Sequence, residues 1–451
     1  MFIGIARFYG PEIFGQFTFV HTLATIFLLV ADFGLDVFLT TEIARQRNRA
    51  NEIFQRFFSL KFIVSSIAVL GMWIVPVIHP VNNSTLWLIG IFSFYVAFTA
   101  ITNFYFALFK GFEQLQYETK VSFVNNIILL CVLVVLGLIG ASIHLVACAF
   151  VGIRIIGLFT SFQIASKLLP NQSYRLNFSG WKEIRNQVFT FGFHLFFGNL
   201  FFVLDTILLA FWRGNHEVGI YQSAFRLITV FLIIPEVIIN ALLPVLSRFY
   251  VENKENWANL SRLMNKTLFL SGMPIALFFC IYAEQIIYFV YGTKAFSDAI
   301  PILRLFGIVL MIRFSVETYA LMLTTSYQQK SRMVVVVIAT IINFLLNLYA
   351  IPSYGPYGAA LVSLITNFLV GVGYIIATQL TRQFFLRWLV DVRSITLFIF
   401  TSFLAFILWN IKDISFLYVS PIVFAVYLFV YYYFGYTKDE RKLVFAKERL
   451  Q

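Results

Sequence analysis

Residues 214–250 read GNHEVGIYQSAFRLITVFLIIPEVIINALLPVLSRFY, a polar turn feeding an apolar run that carries Arg226, Glu236 and two prolines. The run is long enough to cross a bilayer, since about 20 largely apolar residues at about 1.5 Å each span about 30 Å of hydrocarbon. The turn has an echo at the front of the chain. There Gly10-Pro-Glu-Ile-Phe-Gly15-Gln-Phe17 sets two glycines five apart ahead of an aromatic, as Gly214, Gly219 and Tyr221 do. The chain therefore reads as two related halves.

The composition agrees with a membrane setting. At 60% hydrophobic and 12% charged residues over 451 positions, with mean hydropathy +0.85, the sequence cannot present a soluble surface. Thirteen runs qualify as spans: 17–38, 57–78, 86–109, 121–141, 143–166, 187–211, 219–246, 268–291, 299–324, 333–351, 357–380, 392–409 and 416–434. The expectation is an all-α polytopic membrane protein. The net charge of +12 does not point to nucleic acid, because Lys and Arg fall in short clusters between apolar runs. One side collects Arg45, Arg47, Arg49, Arg56, Lys61, Lys110, Lys120, Lys167, Arg248, Lys254, Arg262, Lys330, Arg332, Arg382 and the basic tail, against Arg7, Arg213, Lys294 and Lys412 opposite. By the positive-inside rule the C-terminus is cytoplasmic and Met1 lies outside. An odd number of spans with Met1 outside implies a missing first helix.

No cofactor is implied. Cys131, Cys148 and Cys280 sit inside apolar runs, as small core residues do. His144 and His194 have no ligand-spaced partners, so no metal is expected. The two Gly-x4-Gly turns lack the Lys and Ser/Thr that make a phosphate loop, which excludes direct use of ATP. Connections between spans leave no room for a soluble catalytic domain.

The repeat extends beyond the glycine turns. Lys120-Val-Ser-Phe-Val-Asn125-Asn126, an apolar run and Gly140-Ala-Ser parallel Arg332, an apolar run with Asn343, and Gly355-Pro-Tyr-Gly358-Ala. Repeats that start on the same side, with six spans between them, are related about an axis along the membrane normal and enclose a cavity between two lobes. Such lobes imply alternating access.

Three stretches near the start, Ala6-Arg-Phe-Tyr-Gly10-Pro-Glu-Ile-Phe-Gly15, Ala31-Asp-Phe-Gly-Leu35 and Glu42-Ile-Ala-Arg45, carry a resemblance that later stretches repeat. The later ones are Gly219-Ile-Tyr-Gln-Ser-Ala-Phe-Arg226, Leu243-Pro-Val-Leu-Ser-Arg248 and Asn343-Phe-Leu-Leu-Asn347 through Gly358. In order and spacing they resemble bacterial polysaccharide transporters, the lipid-linked oligosaccharide flippases of the multidrug/oligosaccharidyl-lipid/polysaccharide exporter superfamily. Coverage is nearly complete, except that family members carry a whole helix ahead of the first motif. The resemblance implies two pseudo-symmetric six-helix lobes and a C-terminal pair, divided here at 1–186, 187–380 and 381–451. It also implies a cell-membrane location, a polyprenyl-diphosphate-linked oligosaccharide as substrate, the lipid bilayer as surroundings, and polysaccharide assembly proteins as candidate partners.

Ionisable residues inside spans mark the candidate site, because each Arg or Asp at a helix centre costs about 2.5–3.5 kcal/mol on insertion scales and normally faces protein or water. Arg154 and Arg313 lie near mid-span, one in each lobe, and are assigned to the substrate diphosphate. Glu317, one turn beyond Arg313, either neutralises it until phosphate competes or holds it in a permanent pair. Arg226 and Asp205 lie at similar depth on successive helices, as a salt bridge within the lobe or as substrate contacts. Asp32 and Asp36 share one helix face within reach of Arg45 or the basic loop beyond it, as a gate or a stabilising pair. Glu236 follows Pro235 and is a candidate for cation coupling or for lining a hinge.

Two rivals remain. A cation-coupled multidrug or metabolite antiporter of the same superfamily should line its cavity with carboxylates, whereas a lipid-diphosphate carrier should present Arg, whose fork matches phosphate oxygens. A membrane glycan polymerase or transferase needs acidic pairs and a sizeable outer loop, and neither is present.

Overall fold

The computed structural model describes residues 1–170, 174 and 181–380, with scattered positions between 396 and 435. Among these residues the chain is helical throughout and contains no strand, as the sequence predicts. The helices are α1 (Phe2–Asp32), α2 (Leu35–Arg45), α3 (Ala50–Met72), the short α4 (Val75–Ile78), α5 (Asn83–Gly111), α6 (Leu115–Leu138) and α7 (Ile143–Leu168). They continue as α8 (Trp181–Arg213), α9 (Asn215–Phe231), α10 (Ile233–Glu252), α11 (Lys254–Tyr291), α12 (Ala299–Thr325) and α13 (Gln329–Leu380). Nine stretches of the described residues are long and apolar enough to cross a membrane. The expected spans at 392–409 and 416–434 lie largely outside the described residues.

Side chains and glycines set the helix ends. Asn82 accepts a hydrogen bond from the Thr85 amide at 2.8 Å, and Asn253 accepts from the Glu255 and Asn256 amides at 3.0 Å each. These caps satisfy amides that have no partner inside the helix. The dipeptide Gly-Pro punctuates the chain twice. Gly10 (φ 76°) precedes Pro11 inside α1, and Gly355 (φ 56°) precedes Pro356 inside α13. Only glycine takes such a backbone without strain, and proline then restarts the helix with its preset φ. The 52 residues of α13 would reach about 78 Å as one rod, more than twice the hydrocarbon thickness, so the break divides two spans.

The chain forms two compact units, Met1–Gly219 and Ile220–Gln451. In the first, α2, α3, α5 and α7 pack around a core that includes Leu39, Phe54, Phe57, Phe104 and Phe109. The glycine repeat forms a contact within this unit. A Cβ on Gly15 would clash with the Asn215 carbonyl oxygen, and one on Gly219 would clash with that of Pro11. Gly15 and Gly219 occupy equivalent repeat positions, as do Pro11 and Asn215, so the two approaches are one contact read in opposite directions. Backbone touches backbone there, and nothing larger than glycine fits.

In the second unit α11 packs closely on α12 and α12 on α13. Trp257 is fully buried and donates its indole N–H to Thr325 at 3.0 Å. Leu70, Val77, Trp87 and Leu138 project from the first unit almost fully exposed, an apolar rim suited to lipid.

Candidate functional site

Three helices of the first unit, α1, α5 and α7, build a site in layers. At the end where α5 and α7 begin, Gln16 donates to Thr85 at 2.8 Å and to Asn82 at 3.2 Å. Ser84 joins that cluster through Gln16 (3.4 Å) and the His144 ring (3.2 Å). Beyond it, Phe17, Phe92 and Phe150 are buried against one another, with ring centroids 5.3–6.3 Å apart. The next turn of each helix carries His21, Tyr95 and Arg154. An aromatic layer therefore lies between two polar layers.

Among the described residues Arg154 is held by Tyr95. Its Nη2 donates to the Tyr95 hydroxyl at 3.3 Å, and its guanidinium carbon stands 5.2 Å from the centre of the Tyr95 ring. Among the described residues no carboxylate lies within ion-pair distance of Arg154. A cation over an aromatic face gains about 0.5–2 kcal/mol, which offsets only part of the cost of a mid-span guanidinium. Most of its five N–H donors remain available to a ligand anion. His21 packs beside this pair, 5.9 Å from the Tyr95 ring and 5.8 Å from that of Phe92.

The second unit treats its mid-span arginine differently. Arg313 on α12 donates to Glu317 at 3.4 Å, and the two side chains are 16% and 24% exposed. Two turns past Glu317 on α12, Thr324 accepts from Arg332 of α13 at 3.0 Å. On α13, Asn347 donates to Asn343 at 3.0 Å and Asn343 to Thr366 at 3.4 Å, all three being buried.

The remaining candidates lie elsewhere in the chain. Asp205 is buried on α8 in the first unit. Arg226 lies on α9 in the second unit, where Tyr291 donates to the carbonyl of nearby Ser223 at 2.7 Å. Asp32 and Asp36 flank the break between α1 and α2, where Phe33 and Gly34 both adopt positive φ. Their cationic partner is Lys61 of α3, fully buried, 2.8 Å from Asp36 and 3.5 Å from Asp32. Arg45 pairs instead with Glu42 at 3.6 Å. Glu236 is exposed in the first turn of α10, just past the interruption at Leu232. Among the described residues no group of acidic, His or Cys side chains is arranged to hold a metal.

The sequence matches the polysaccharide biosynthesis protein family over residues 1–250, more than half of the chain. It belongs to that family. A match to the MatE family covers residues 191–349. No match was found among curated protein sequences. The fold is shared with the lipid II flippase MurJ in an inward closed conformation, at 15% identity and a TM-score of 0.75, covering 95% of this chain and 94% of that one. An inward-facing multidrug resistance MATE family transporter of the MOP superfamily gives 16% identity and 0.67, covering 84% and 92%. A MOP superfamily transporter from Pyrococcus furiosus Vc1 gives 16% and 0.60, covering 84% and 90%.

Within this polysaccharide biosynthesis family member, sequence reasoning passed over Tyr95, His21 and the buried role of Lys61. His21 carried a usable signal, as an ionisable residue midway along an apolar run. Tyr95 carried none, being one of 22 tyrosines. Its importance follows from packing against α7.

Proposed function

We propose that the protein moves a lipid-diphosphate-linked oligosaccharide from the cytoplasmic to the outer leaflet by alternating access, for cell-surface polysaccharide synthesis. The observation that carries this reading is Arg154, a mid-span guanidinium with no carboxylate in range among the described residues. A polyanionic headgroup supplies the missing counter-charge, and its phosphate oxygens suit the planar fork of Arg. Within the second unit, Arg313 is a phosphate donor of its own, released from Glu317 as phosphate competes. The membrane location, the cytoplasmic C-terminus and any contact with polysaccharide assembly proteins belong to the same proposal.

The rival is export of cationic drugs or metabolites, favoured by the MatE match over residues 191–349. An exporter of cations gains nothing from an uncompensated arginine in its path. Purified protein in liposomes, given a fluorescent polyprenyl-diphosphate oligosaccharide on one leaflet, decides between them. Transbilayer movement that fails in Arg154→Gln is the expected outcome. Export of cationic dyes with no movement of the lipid would overturn the proposal.

A further inference from the structure

We infer that Tyr95 is itself a phosphate ligand as well as the residue that aims Arg154, so that hydroxyl and guanidinium together form a two-donor anion site in the first unit. The inference rests on the flippase reading above and deepens it. Tyr95 is 6% exposed, so its hydroxyl lies where an unused donor is costly. That hydroxyl accepts from Arg154 Nη2, so its own proton points away from the guanidinium nitrogen. Among the described residues no acceptor receives that proton. The buried phenol thus keeps one donor in hand beside a guanidinium with several.

The surroundings fit an anion. An oxygen that meets the edge of Arg154 beside Tyr95 comes within reach of both donors. Phe17, Phe92 and Phe150 back the site with apolar surface one turn away, and His21 closes its flank. In such low-dielectric surroundings a hydrogen bond to a charged oxygen is stronger than in water. The Tyr95 ring also restricts the guanidinium before the ligand arrives, which lowers the ordering cost of binding. Two donors set side by side suit a diphosphate better than a monophosphate, because the second phosphoryl group brings further oxygens to the same edge.

The test compares farnesyl diphosphate and farnesyl monophosphate binding to the full chain in nanodiscs, for wild type, Tyr95→Phe, Tyr95→Leu and Arg154→Gln. Tyr95→Phe keeps the ring over Arg154 and removes only the hydroxyl. It should weaken diphosphate binding about tenfold, the range of one hydrogen bond to a charged group, narrow the preference over monophosphate, and leave the melting temperature unchanged. Tyr95→Leu should bind more weakly still, since the guanidinium loses its guide. Wild-type affinity in Tyr95→Phe alongside weak binding in Arg154→Gln would refute the ligand role of Tyr95 and leave the flippase reading standing. Wild-type affinity in both, or no binding of farnesyl diphosphate by the unaltered protein, would overturn the two together. A fall in melting temperature of Tyr95→Phe that matches its loss of binding would reduce Tyr95 to a packing residue.

Discussion

Arg154 and Arg313 lie near the middle of their helices, one in each unit, yet their neighbours treat them in opposite ways. Arg313 has an acidic partner one turn away on its own helix, whereas Arg154 has a tyrosine ring and hydroxyl from another helix. A paired guanidinium tolerates an empty site, because its charge is already compensated. An unpaired one stays costly until an anion arrives, and that cost becomes part of the drive for binding. Under the proposed function, the first unit is completed by substrate and the second exchanges one partner for another.

The paired extreme predicts the largest effects on stability. Lys61 is buried against two carboxylates, and Lys61→Met would leave Asp32 and Asp36 facing each other without a cation. A loss of about 3–5 kcal/mol is expected, typical of a buried ion pair stripped of one partner. Thermal melting in detergent measures it, and a shift too small to detect would mean that Lys61 does not hold the α1–α2 break. Asp205 is buried on α8, and Asp205→Asn should cost about 1–3 kcal/mol, the range for a buried polar group that loses its interactions. An unchanged melting temperature would mean that the Asp205 charge does not support the first unit.

The unpaired arginine predicts the converse, a large functional effect with little change in stability. Arg154→Gln should lower transport of a lipid diphosphate about a hundredfold, equivalent to about 2.7 kcal/mol, because the interaction lost is made only with substrate. Its melting temperature should hold or rise, since an uncompensated charge leaves the membrane interior. A destabilised Arg154→Gln that still transports would erase the contrast between the units.

How much of this the sequence carried differs between fold and site. Long apolar runs, Gly-Pro punctuation and the repeated Gly-x4-Gly turn were enough to anticipate an all-helical membrane chain, because span length and helix breaking are local properties. The close approach of Gly15 and Gly219 gives the repeated glycines a physical reason, namely backbone contact. Arg154 and Arg313 could be picked out as mid-span arginines by depth alone. Their partners could not, except where spacing on one helix decides, as for Glu317. Lys61 reads as a loop cation by its neighbours in sequence, and only the packing of α3 on α1 and α2 makes it a buried partner of Asp36. Tyr95 meets Arg154 across 59 residues of chain, a distance at which periodicity carries no information.

The smallest expected effect separates charge from geometry at the paired arginine. Arg313→Lys keeps a cation opposite Glu317, so the helix should retain its stability to within about 1 kcal/mol, the usual range for a partly exposed i,i+4 pair. An ammonium cannot fork onto two oxygens, however, and it is more strongly hydrated than a guanidinium. Exchange of Glu317 for phosphate should therefore become less favourable, and transport should fall about tenfold, equivalent to about 1.4 kcal/mol. Glu317→Gln in the same background should recover part of that loss by removing the competing carboxylate. If Arg313→Lys transports at the wild-type rate, or if Glu317→Gln lowers transport further, the pair is a fixed helix contact and substrate exchange at Arg313 is refuted.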